Sequence, residues 1–63
     1  MPSNAEMILM HLMDYLKESG QWGTLRWDGV LAYCIGYYDS ITMDHVVAIR
    51  QLEKYGAIKG EEI

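Results

Sequence analysis

The sequence predicts a single domain that is mainly α with a small β component: three short helices, one strand before the second, and a stunted hairpin after the third. Three observations lead there. Polar capping residues precede three stretches whose apolar side chains recur at helical spacing. Gly20 and Gly56 follow the first and third stretches, where helices commonly close in the left-handed conformation. Thr24-Leu25-Arg26-Trp27 and Ala57-Ile58-Lys59 carry strand-forming residues outside the helical pattern.

The first helix starts at a capping box, Ser3-Asn4-Ala5-Glu6, in which the Ser3 hydroxyl accepts from the Glu6 amide while the Glu6 carboxylate reaches back. It runs to about Glu18. Turning about 100° per residue places Ala5, Ile8, Leu9, Leu12 and Leu16 on one face, with Met13 and Tyr15 at its edges. The opposite face carries Met7 and Met10 among Asp14 and Glu18, and these two methionines are the candidate contacts of a homodimer.

Ser19-Gly20 ends that helix and a loop leads into the strand Thr24 to Trp27, from which Leu25 or Trp27 packs inward. Asp28 caps the second helix, Gly29 to about Tyr37, whose Leu31, Ala32 and Ile35 face the first helix, while Gly36 marks a close approach or a turn. Trp22, Tyr33, Tyr37 and Tyr38 gather around it as core or as rigid anchors for a partner. Thr42 caps the third helix, with Asp44 in the first turn where the helix dipole favours an anion. Its core stripe is His45, Ala48, Ile49, Leu52 and Tyr55. After Gly56 the strand Ala57-Ile58-Lys59 leads to Gly60 and an acidic stub, Glu61-Glu62-Ile63.

In order, LAYCIG, a DSIT turn and MDHVVAIRQLEKYGAIKG resemble the helix, turn, second helix and first wing strand of a winged helix-turn-helix domain. Leu31, Ala32, Gly36, Ala48, Ile49, Leu52, Gly56 and Ile58 stand at the family's spacing. The resemblance implies a three-helix winged helix-turn-helix with a truncated wing, presenting its third helix to a macromolecule. In DNA-reading members the early turns of that helix meet base edges with basic or amide side chains. Here the outward face is Met43, Val46, Val47, Arg50, Gln51 and Lys54, with valines and methionine at the early positions and Asp44 beside them.

Charge points the same way. Five basic and nine acidic residues leave a net charge of −4, opposite to the footprint that phosphate binding favours. With 51% apolar residues in only 63, some apolar side chains must reach the surface, where a partner covers them. The expected partner is therefore a protein, engaged by Met43, Val46, Val47, Arg50, Gln51 and Lys54 in the regulation or inhibition of a larger machine. A DNA-binding transcriptional regulator is the alternative. Stand-alone miniature domains of this kind resemble accessory proteins of phages, archaeal viruses and mobile elements.

No enzymatic activity, cofactor or metal is expected. His11 and His45 are far apart in sequence, Cys34 lacks a second thiol, and glycine-rich phosphate loops are missing. Cys34 reads as a small buried hydrophobe and His45 as a core-edge histidine with one satisfied nitrogen. One cysteine, no signal-peptide pattern and no apolar run near the roughly 20 residues of a membrane span predict a cytosolic protein.

Overall fold

The computed structural model describes residues 3–60 and contains three helices: α1 (Asn4–Glu18), α2 (Trp27–Tyr38) and α3 (Met43–Lys54). Among the described residues there is no strand, so the fold is a small all-α one, and the winged helix with a β wing is overturned. The acidic stub at Glu61 to Ile63 lies outside the described residues.

Both expected strands become pinned loops. Trp27 is the first residue of α2, and its apolar ring joins the stripe that Val30, Cys34 and Tyr38 continue along that helix. Capture of Trp27 leaves Thr24 to Arg26 as a connector. Two backbone hydrogen bonds tie this connector to the segment after α3: Gly23 N–H donates to the Ala57 carbonyl at 2.7 Å and Lys59 N–H to that of Leu25 at 2.8 Å. Pairing stops there because Ala57 and Ile58 are buried in the core and Leu25 packs against it, leaving no exposed ladder for a wing to extend.

The start of α1 is the expected capping box, with Glu6 N–H 3.2 Å from Ser3 Oγ and Ser3 N–H 3.5 Å from Glu6 Oε1. α1 and α3 end alike. Gly20 (φ 71°) and Gly56 (φ 76°) each follow the C-cap in the left-handed region. The next amides, Gln21 and Ala57, donate back to Leu16 and Leu52 at 2.9 Å. These closures satisfy carbonyls that the helix ends would leave open.

The core collects Ile8, Leu12 and Leu16 from α1, Val30 and Cys34 from α2, and Ala48, Ile49 and Leu52 from α3, with Ala57 and Ile58 closing one end. α1 and α3 pack closely. α2 is rotated relative to the predicted stripe: Leu31 is half-buried, Ala32 is exposed and Ile35 is 54% exposed. The Trp27-Val30-Cys34-Tyr38 spacing accounts for that rotation, and a strand ending at Trp27 hides it. Gly36 meets no atom within 4 Å of an added Cβ, so close approach does not explain it, and Asp39 (φ 67°) makes the turn. Tyr55 is exposed as the C-cap of α3 rather than part of its core.

Candidate protein-binding face and the histidine–tyrosine cluster

The α3 residues singled out from the sequence share the outer side of that helix without forming one flat patch. Met43, 73% exposed, and Val47, 41% exposed, stand with Arg50 and Lys54 along its crest. Val46 is half-buried and lies with Arg50 in a shallow cleft shared with Trp27 and Glu53, where the Trp27 indole N–H donates to Glu53 Oε2 at 3.4 Å. On the other flank, Val47 and Gln51 border a cleft of about 280 Å³ against Ala5, Glu6 and Leu9 of α1. The crest is thus apolar at its N-terminal half and basic at its C-terminal half, with a shallow cleft on either side. Met7 and Met10 are both exposed on α1, and Met7 also borders a third cleft.

That third cleft adjoins an aromatic cluster that α1 and α2 build between them. His11 and Tyr15, one helical turn apart on α1, meet Tyr33 and Tyr37, one turn apart on α2. His11 Nε2 lies 2.8 Å from the Tyr33 hydroxyl and His11 Nδ1 bonds that of Tyr38. A neutral imidazole carries one N–H, so one tyrosine donates to the bare nitrogen and the oxygen of the other accepts. Tyr15 stacks on Tyr33 with centroids 3.8 Å apart at 12°, and its hydroxyl donates to Gln21 Oε1 at 3.1 Å. These rings bridge α1 and α2, whose backbones stay apart. Burial pushes the phenols of Tyr33 and Tyr38 above the usual tyrosine value, and neighbouring ionisable groups, among them Tyr37 and Cys34, add to the rise. They remain hydrogen-bond donors at neutral pH.

His45 is only 5% exposed. Its Nδ1 accepts from Thr42 N–H at 3.0 Å and lies 2.9 Å from Thr42 Oγ1, so the imidazole performs the back-reaching role that Glu6 performs for α1. Nε2, which carries the proton in that arrangement, is buried without a hydrogen-bond partner, and the imidazole meets the Tyr38 ring edge-on with centroids 4.6 Å apart. Cys34 is a buried free thiol that burial pushes above its ordinary value, which keeps it in the unreactive protonated form. Among the described residues no three His, Cys, Asp or Glu side chains gather as a metal site.

No protein-family model, curated protein or solved structure matches this chain. The cluster had a partial signal in the sequence: a histidine and a tyrosine four apart on one amphipathic helix, and two tyrosines four apart on the next. Their pairing is a tertiary fact, and spacing within either helix does not announce it. No helix among the described residues is long and apolar enough to cross a membrane.

Proposed function

We propose that the chain is a small non-enzymatic regulator that binds a protein partner through the crest of α3. The observation that carries this reading is the exposure of Met43 and Val47 at the N-terminal half of the helix, beside Arg50 and Lys54. Burying apolar side chains of this size stabilises a complex by roughly 25 cal/mol per Å² removed from water before the costs of association. The flanking clefts give a partner's side chains somewhere to insert. A net charge of −4 opposes long-range attraction to nucleic acid.

The non-enzymatic part rests on how the reactive groups are occupied. Both nitrogens of His11 already bond tyrosine hydroxyls, His45 Nδ1 serves the cap of α3, and the Cys34 thiol is buried. Catalysis by a histidine base or a thiolate would need one of these groups free and facing a substrate. The buried free thiol also suits a reducing compartment, and we place the protein in the cytosol.

The test compares affinity capture from the source cell by the wild-type chain and by Val47→Lys. A partner retained by the first and lost by the second, with unchanged circular dichroism, supports the reading. Equal capture by both rejects the α3 crest as the contact.

A further inference from the structure

The geometry points to a binding site for an alkylated ammonium head group in the cleft between the first half of α1, the end of α2 and the start of α3. This inference stands apart from the α3 crest and uses neither Val47 nor Arg50. The cleft has a volume of about 530 Å³, within the range of small-ligand sites. His11, Tyr37 and Tyr38 line it with Met7, Ile8 and Asp44.

Three features select a cation. The His11, Tyr37 and Tyr38 rings are mutually inclined at 58°, 65° and 67°, so no pair is stacked and their π faces are turned in different directions. Tyr37 is 63% exposed, which leaves its ring accessible from outside. Aromatic faces attract alkylammonium ions through the ring quadrupole, and they do so without a strict hydrogen-bond geometry.

Second, among the described residues that line the cleft there is a carboxylate, Asp44, and neither lysine nor arginine, so no side chain of fixed positive charge competes for the rings. Third, Asp44 sits in the first turn of α3, where the positive end of the helix dipole would otherwise repel a cation. The aspartate offsets that end and supplies the counter-charge. The chain's net charge of −4 adds a weak, salt-sensitive attraction. Met7, exposed at the rim, offers a polarisable wall to the methyl groups.

The probe is tetramethylammonium chloride, followed by NMR at pH 8 with sodium chloride at matched ionic strength as control. Saturable shifts of the Tyr37, Tyr38 and Met7 resonances, absent with sodium, are expected. Asp44→Asn and Tyr37→Leu should each weaken binding by roughly fivefold or more. Asp28→Asn, which removes an equal charge from α2 outside the cleft, should leave it within about twofold. Unchanged amide spectra away from the cleft establish that each variant is folded.

Choline and a peptide carrying one trimethylated lysine then separate the sources of the head group. Tighter binding of the peptide assigns the site to a partner's side chain, and tighter binding of choline assigns it to a free quaternary ammonium ion. Absence of saturable shifts, equal shifts with sodium, shifts with inorganic phosphate in place of the ammonium ion, or indifference to Asp44→Asn would overturn the inference.

Discussion

Gly36 and Gly56 form a matched pair for testing how the chain distributes its backbone strain. An added Cβ meets nothing within 4 Å at either position, so sterics contribute equally and the backbone conformation alone decides the outcome. Gly36 lies within α2, where glycine costs about 0.5–1 kcal/mol relative to alanine because its unfolded chain has more freedom to lose. Gly56 sits at φ 76°, where an L-residue costs about 1–2 kcal/mol. Gly36→Ala should therefore stabilise by up to ~1 kcal/mol and Gly56→Ala should destabilise by about 1 kcal/mol, with Gly56→Val worse still. For a domain of this size about 1 kcal/mol moves the melting temperature by roughly 4–8 °C. Thermal melts followed by circular dichroism would show the two alanine variants moving in opposite directions. Shifts of the same sign, or no shift for Gly56→Ala, would show that the left-handed backbone at Gly56 carries no such cost.

His11→Leu should cost about 1–3 kcal/mol in urea unfolding, since it leaves the part-buried hydroxyls of Tyr33 and Tyr38 without their partner. A midpoint unchanged from wild type would count against a structural role for these bonds. The raised phenols of Tyr33 and Tyr38 contribute stability that is complete below the ordinary tyrosine value of about 10 and is lost as pH rises through their folded values. Absorbance titration should show late-ionising phenols, fewer of them in Tyr33→Phe, and stability falling over the same alkaline range. Exposed Met10 favours self-association, so sedimentation should show dimer in the micromolar range that Met10→Glu removes. A monomer in both samples would exclude it.

The first and third helices were legible because local signals agreed with one another, whereas α2 begins at Trp27 with Arg26 as its N-cap, which puts Asp28 inside the first turn and not at the cap. The box at Ser3 and Glu6, the cap at Thr42 and the glycines at 20 and 56 each require only neighbours within a turn or two. The strands failed for the opposite reason. Leu25, Trp27 and Ile58 have the residue types of a strand, yet Trp27 extends the apolar stripe of α2 while Leu25 and Ile58 seal the core end, uses that only the tertiary arrangement distinguishes. On α3 the outward set was readable as a face, but its division into a crest and two clefts depends on Trp27 and Leu9 from the other helices. The His11 network was the least legible feature, since its partners lie 22 and 27 residues away. Tyr55 shows the limit of periodicity alone: it falls near the core side of α3 by angle, but there the helix has already reached its C-cap.

Met43 and Val47 make the N-terminal half of the α3 crest apolar, the property proposed above to suit a protein and not DNA. Fluorescence anisotropy of random-sequence duplex DNA with the wild-type chain and Val47→Lys at low salt decides between the two partners. No saturable binding by the wild-type chain is expected in the micromolar range, while the same lysine should weaken the protein complex by about 1–3 kcal/mol. Saturable duplex binding by the wild-type chain, tightened by Val47→Lys with a steeper salt dependence and with protein capture unaffected, would contradict that proposal and favour a DNA-binding regulator.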